Sequence, residues 1–414
     1  MTPILSQAFR TWQRACARAG WRPQLGSERV GVAEAVGRVT AAPVHARWSS
    51  PAHEAAAMDG IAVLATDVVG ASEMSPVLLT PDRFDPVDTG DPLPPGRDAV
   101  VMREHVQHQD DGGVQLVAPV TAGRHIRRAG EDIMAGEPLL PTGHRLRPVD
   151  VAVVAAAGHI DLMVQQRPVV AILPTGDEVR PIGSAIGRGE VLDTNSLMLA
   201  EQAREAGCAT VALPVERDDP GRIAAAVRGI ADRADLVLVI AGSSAGRGDH
   251  TPAVLAELGQ VAVQGVAMRP GHPVVLGLIH AARPVPAIGV PGYPVSAAHV
   301  FEMFAVPLIG LLLGTPAGAR PTVRARLARA VSSPPAIDEW VRVGLTRVDG
   351  PLDDGGGFAA LPVSKGAGVL SSLMRAGGLL RIPAGSSGHE VGAEVVVELL
   401  PGAPPPGDSA RWLA

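Results

Sequence analysis

At 414 residues the chain is long enough for two to four domains, each able to bury its own core. Its 46% hydrophobic and 19% charged residues exclude a disordered chain, and two cysteines make neither a disulfide framework nor a zinc site. With 3% aromatic residues and a net charge of −6, it lacks the stacking faces of a nucleic-acid platform and any global attraction to nucleic acid or anionic membranes, so neither is an expected partner.

The N-terminal "MTPILSQAFRTWQRACARAG" predicts an amphipathic helix capped by Ser6, with Cys16 in the core at helical spacing from Phe9 and Trp12. It has no signal-peptide core. Residues 51–132 read as β-rich, with "GIAVLA", "DAVVMRE" and "GVQLVAP" separated by polar turns and no long helical stripe. "RPVDVAVVAAAG", at 147–158, predicts a helix leading into the next region.

From Pro168 to about Gly314, short apolar runs alternate with helical periods. "RPVVAIL", "TVALPV" and "DLVLVIAG" predict strands. "NSLMLAEQAREAG" predicts a helix with Leu197, Leu199, Ala203 and Ala206 near one face and Gly207 as its stop. "RDDPGRIAAAVRGIADRA" predicts another, capped by Asp218 or Asp219, opened by Pro220 and striped by Ile223, Val227 and Ile230. Such alternation predicts a parallel sheet covered on both faces. The most apolar stretch, Met303 to Gly314, contains Pro307 and is too short to cross a bilayer, so a soluble, cytoplasmic protein is expected. Beyond Pro321, "TVRARLARAV", "EWVRVGLTRV" and "AEVVVELL" alternate with period two and predict a small antiparallel β barrel or sandwich. No internal repeat is present. The expected fold class is α/β multidomain, with a parallel-sheet α/β domain, an inserted β-rich domain and a C-terminal small β barrel.

Function in an open parallel sheet gathers at the carboxyl ends of its strands. Three such ends carry chemistry. The first is "LPTGDEV", where Thr175 and Gly176 turn and Asp177 and Glu178 follow; the second is the Gly/Ser loop of "IAGSSAGRGDHT", leading to Asp249. The third is "MRPGHPVVLG", which places Arg269 and His272 around a Pro-Gly turn, followed by "GVPGYPVS" at 289–296. Small-residue loops let backbone N–H groups approach an oxyanion. Arg269 and His272 read as holders of an anion, with a solvated surface turn as the alternative. Carboxylates beside a phosphate make sense when a divalent cation joins them, and Mg2+ favours oxygen ligands.

These stretches also carry a resemblance. "AMDGIAV", "DTGDPLPPGRDAVVMRE", "RRAGEDIMAGEPLL", "PTGDEV", "DTN" at 193–195, "AGSSAGRGDHT", "RPGHP" and "PGYPVSA" follow, in order, the pattern of the MoeA family of molybdopterin molybdenumtransferases, related to the E domains of gephyrin and its plant counterpart. The chain resembles that family along nearly its whole length. The resemblance implies Mg2+-dependent insertion of molybdate into adenylated molybdopterin with release of AMP, by a homodimer whose active sites are shared between subunits. It implies contact with a molybdopterin adenylyltransferase as well. Residues 1–25 and 160–317 would form the molybdopterin-binding α/β domain, 26–50 and 133–159 a linking domain, 51–132 the inserted domain, 318–402 the barrel and 403–414 a tail.

Carried over by motif, Asp59, Glu178, Asp218 and Asp249 are the catalytic candidates, with Glu178 and Asp249 toward Mg2+. Glu178, Asp218 and Asp249 would lie on the α/β side, while Asp59, Thr89 and Asp132 would approach from the partner. Asp59 also reads simply as a turn former before Gly60. Thr89, Asp132, Thr175, Gly176, Gly242, Ser244, Gly246, Pro291 and Pro294 are the substrate-binding candidates. Arg269, His272, Ser296 and Arg342 are those for molybdate. The chain departs from the pattern where relatives read Lys-Pro-Gly-Lys-Pro, and this resembles a subgroup with a modified oxyanion loop. Arg269 preserves charge with a planar fork, and His272 only when protonated. Tyr293 stands in a Pro-Gly-Asn-Pro turn, and Ala367 or Gly368 stands where a Ser is usual. The alternative is a non-catalytic molybdopterin- or molybdate-binding carrier, scaffold or sensor of the same fold; tungstate, of nearly the same size and charge, is a further oxyanion.

Overall fold

The computed structural model describes residues 2–241, 250–315, 318–348, 357–363 and 366–402. The chain divides into two units, one of residues 27–165 and one of 1–26 with 166–414.

In the larger unit the apolar runs become the strands of a six-stranded sheet: β1 (Val169–Pro174), β2 (Ala209–Ala212), β3 (Leu236–Ala241), β4 (Gly259–Gln264), β5 (Val275–His280) and β6 (Pro284–Pro291). Their order is β2-β1-β3-β6-β5-β4. β2, β1, β3 and β6 pair in parallel, and β5 is antiparallel to both of its neighbours. The central strands are buried on both faces, which is why β3 reads as an unbroken apolar run. Six helices accompany the sheet: α1 (Leu5–Arg18), α2 (Thr194–Glu205), α3 (Pro220–Ala231), α4 (Thr251–Leu258), α5 (Pro294–Val300) and α6 (Val306–Leu313). Ile223, Val227 and Ile230 of α3 join Val254 and Leu255 of α4 over Ala171, Leu173, Val237 and Val239. α1 is anchored by the Trp12 indole, which donates to the Gly277 carbonyl at 2.6 Å, and Cys16 is buried as expected.

Three local expectations are corrected. α1 starts at Leu5, because extended Ile4 is its cap and the Ile4 carbonyl accepts from Gln7 and Ala8; Ser6 lies inside the first turn. α2 buries Ser196, Leu199, Ala200 and Ala203, while Leu197 is 53% exposed. Asp193 caps this helix by accepting the Ser196 N–H, and its stripe runs i, i+3, i+4, i+7 from Ser196. Finally, Pro307 does not limit the apolar segment, since it sits in the first turn of α6 and a π-turn, Phe301–Ala305, carries the helix through from α5. The run Pro294–Leu313 is long and apolar enough to span a membrane, but 67% of it is buried in the protein as a core helix.

The same unit ends in a barrel of β7 (Thr322–Leu327), β8 (Asp338–Val348), β9 (Gly357–Pro362), β10 (Gly378–Ile382) and β11 (Glu394–Leu399). The order β8-β9-β7-β11-β10 closes because β10 pairs back to β8. It is not wholly antiparallel, since Arg326 and Leu327 of β7 run parallel to Ala359 and Ala360 of β9. Alternate residues Val341, Val343 and Leu345 fill it with Leu380, Ile382 and Val397. A two-residue strand, Met268–Arg269, pairs in parallel with Asp338–Glu339 at the start of β8.

The smaller unit is β-rich where expected. Gly60–Val63 lies between Phe84–Val87 and Ala99–Met102, and Val114–Leu116 lies between Val77–Leu79 and Val106–His108. Ile61, Val63, Phe84, Val101 and Leu116 belong to one core. A second core gathers Val44, Leu146, Val154, Leu162 and Val164 around the helix Pro148–Ala156. Residues 161–165, which the sequence reading attached to the α/β domain, pair with Ser27–Gly31 in this unit.

Candidate active site

Parallel β2, β1, β3 and β6 deliver their carboxyl ends to one edge. β1 lies between β2 and β3, so the chain order reverses there, the usual place for a ligand crevice. Thr175 occupies this point: its N–H and its hydroxyl both donate to the Ile240 carbonyl, at 2.8 and 3.1 Å. At Gly176, with φ of +145°, a Cβ would meet the Val179 side chain at 2.6 Å, so the turn requires glycine. Asp218, following β2, accepts the Asp177 backbone N–H. Burial pushes its carboxyl pKa up, the Glu178 and Asp177 charges add to this, and His250 opposes it. Its Oδ1 is buried without a partner among the described residues. Two predicted acids, Glu178 and Asp218, are therefore brought into one field. Gly242, Ser244, Gly246 and Asp249 lie outside the described residues.

Glu178 and Thr175 line a cavity of about 490 Å³ with Asp193, Asn195, Tyr293 and Pro294. The Asn195 amide donates to the Gly292 carbonyl at 2.7 Å, and its Oδ1 is buried without a partner among the described residues. Asn195 was not among the candidate residues; it belongs to "DTN", in which Asp193 caps α2 and Thr194 and Asn195 open it.

A second cavity, about 580 Å³, shares the wall Gly292–Tyr293 with the first. Arg269, His272, Ser296 and Arg342, all four predicted anion holders, line it, as does Pro291. The loop is shaped by Gly271, with φ of +99°, where a Cβ would press on Met268 and Val300, both at 2.8 Å. His272 Nδ1 lies 2.7 Å from the Val266 carbonyl oxygen. Arg342 sits on β8 one residue from the barrel-filling Val341 and Val343, and so leaves the barrel on the opposite face. It is 4% exposed, burial pushes its guanidinium pKa down, and it donates to the Gly366 carbonyl at 3.2 Å. Ala367 lines this cavity, whereas Gly368 lines the first.

Two further wall residues, Glu339 and Trp340, and His299 behind Trp340, were not among the candidates. Buried Glu339 stands 3.9 Å from Arg269. Trp340 is held between His299, ring centroids 4.8 Å apart, and the Arg381 guanidinium at 5.5 Å. His299 is held neutral, with its pKa lowered to about 3 by burial and then by Arg320 and Arg342. The long-range pairing of β8 that assembles them leaves no local signal in the sequence.

In the smaller unit Asp59 and Thr89 meet. Asp59 Oδ1 accepts both the Thr89 N–H and its hydroxyl at 2.8 Å, and Arg103 stands 3.6 Å away. These contacts hold the exposed Asp59 carboxyl below its usual pKa, Thr89 contributing most. Gly60 follows because a Cβ there would lie 2.0 Å from the Val101 carbonyl oxygen. Asp132 lies on a different turn, donating its N–H to the Ser50 carbonyl.

The chain matches three family models in order: "MoeA N-terminal region (domain I and II)" over residues 5–158, "Probable molybdopterin binding domain" over 171–310, and "MoeA C-terminal region (domain IV)" over 324–400. It is 33% identical to molybdopterin molybdenumtransferase 2 of Mycobacterium tuberculosis, covering 86% of this chain and 90% of that one. It is 28% identical to the molybdopterin molybdenumtransferase of a Nostoc species, covering 91% and 90%. Among solved structures, a molybdopterin biosynthesis MoeA protein from Pyrococcus horikoshii superposes with a TM-score of 0.80 at 29% identity, covering 96% of this chain and 99% of that one. Matched in all three regions and along nine-tenths of a relative's length, the chain belongs to the MoeA family of molybdopterin molybdenumtransferases.

Proposed function

We propose that this chain completes the molybdenum cofactor by inserting molybdate into adenylated molybdopterin, with Mg2+ present and AMP released. The observation that carries this reading is the adjacency of the two cavities. One is lined by Arg269, His272, Ser296 and Arg342 and the other by Thr175 and Glu178, with Gly292–Tyr293 between them. A tetrahedral oxyanion needs convergent donors and positive charge in a partly desolvated place, and buried Arg342 is the deepest such charge. The acidic cavity suits the other end of the reaction. With its carboxyl pKa raised, Asp218 is suited to accept or return a proton.

Mg2+ is a cation of oxygen ligands, and the acids at this edge are oxygen donors, one of them Asp218 Oδ1, which has no partner among the described residues. Among the described residues no three acids, histidines or cysteines surround one point. Glu178 and Asp249 are the residues proposed to hold the ion, which when bound would neutralise phosphoanhydride charge. The homodimer, with Asp59, Thr89 and Asp132 reaching the partner's site, belongs to the same reading. So do the linking and inserted domains of the smaller unit, contact with an adenylyltransferase and a cytoplasmic location.

The second reading, a binder without turnover, is favoured by Ala367 and by the Arg269 and His272 replacements in the anion cavity. Incubating purified protein with adenylated molybdopterin, Mg2+ and molybdate separates the two. AMP with a metallated cofactor supports insertion. Tight binding of both ligands without AMP leaves the carrier or sensor.

A further inference from the structure

Tyr293 is the chain's one tyrosine and stands in the wall common to both cavities. It is 54% exposed, an unusual state for a large ring at the centre of a concave site. Its backbone is pinned. The preceding Gly292 carbonyl accepts from Asn195 at 2.7 Å, and its own carbonyl accepts the Ala297 N–H at 2.9 Å in the first turn of α5. The ring is placed as well, for a Cβ on Gly368 would lie 3.4 Å from Tyr293 Cδ1 and 3.6 Å from Cε1. Both are ordinary contact distances, so the ring edge packs beside Gly368. Its hydroxyl makes no hydrogen bond to any described residue, so ring and hydroxyl are both left for a ligand.

We propose that Tyr293 is a specificity-determining residue, its ring being the face on which the planar heterocycle of an anionic ligand stacks as that ligand spans the two cavities. The assignment rests on the proposed function for the identity of the ligand, which contains a pterin and an adenine, each planar and each linked to phosphate. An exposed aromatic face between a cation-lined cavity and an acidic one selects a ligand with a flat ring joined to an anion, and discriminates against a bare oxyanion. Stacking of this kind, read by truncation to alanine, corresponds to a loss of about tenfold in affinity.

The test is titration of wild-type protein, Tyr293→Phe and Tyr293→Ala with two probes, 6-carboxypterin and AMP, after circular dichroism has shown that the variants are folded. Tyr293→Ala is expected to lose about tenfold or more for at least one probe, with Tyr293→Phe within about threefold of wild type. The probe that suffers identifies which ring stacks. Molybdate affinity should be the same in all three proteins. Equal binding of both probes by wild type and Tyr293→Ala overturns the assignment, as does a loss in Tyr293→Phe as large as in Tyr293→Ala, or a wild type that binds neither probe. AMP release from adenylated molybdopterin keeps the two readings apart. A wild type that binds its probe through Tyr293 yet never releases AMP loses the proposed reaction and keeps the stacking face. Turnover with unchanged KM in Tyr293→Ala loses the stacking face alone.

Discussion

The His272 ring gives its Nδ1 to the Val266 carbonyl, 2.7 Å away, and a carbonyl can only accept. Nδ1 therefore carries a proton in either charge state, and the nitrogen left for the cavity, Nε2, is a bare acceptor until the ring is protonated. Only the cation can donate to a dianion. A lysine there would donate to the anion at any charge state of its neighbours, so His272→Lys should bind molybdate at least as well as wild type, while His272→Ala should lose about tenfold in affinity at a single fixed pH. Equal molybdate affinity in all three proteins would remove His272 from the proposed oxyanion site.

Glu178 shares the electrostatic field of Asp218 at the sheet edge, and Asp249 is the acid of the sequence "AGSSAGRGDHT". If both act on the phosphoanhydride end of the reaction, Glu178→Gln and Asp249→Asn should each slow AMP release by on the order of a hundredfold, leaving fold and ligand binding in place. Single-turnover AMP release measures this directly. Wild-type rates in both variants rule out the assignment.

Asp59 and Glu178 belong to different units of the chain. A two-fold dimer with shared sites predicts that inactive Asp59→Ala and Glu178→Ala chains recover activity on mixing and exchange, since one of the two composite sites is intact. Proven heterodimers without recovery would place both residues in a single subunit's site.

His299 is buried beside Trp340 and held neutral, with its pKa lowered to about 3. Unfolding returns it to the ordinary histidine range near 6.5, so between about 6.5 and 3 the unfolded chain carries a proton that the folded one does not. Stability should be lost as pH falls through that window, by up to about 1.4 kcal/mol per pH unit for this one group. His299→Phe keeps a ring against Trp340 and removes the proton. Urea midpoints between pH 7 and 5 should fall less steeply for the variant; parallel slopes would show that His299 takes no part.

The sheet was legible because β1 and β3 are continuous apolar runs and because Gly207, Asp219 and Pro220 punctuate the helices between them. The four residues that the resemblance proposes for molybdate line one cavity. What stayed hidden was long-range register. Nothing near "EWVRVGL" announces that Glu339 meets Arg269 or that β7 runs parallel to β9. Leu197 misled for a related reason, since its alternation within α2 gives no sign of which residue the Asp193 cap turns inward. Tyr293 was visible as an oddity, but nothing local announces that it stands in the walls of two cavities.

The strand Met268–Arg269 has a consequence for the inheritance of this protein. Arg269 is encoded with the α/β domain but paired, through Glu339, into the barrel's sheet. The barrel is therefore no interchangeable appendage. A chimera that takes its barrel from a relative must accept that relative's partner for Arg269, and the cavity they line will be transplanted whole or left without one wall.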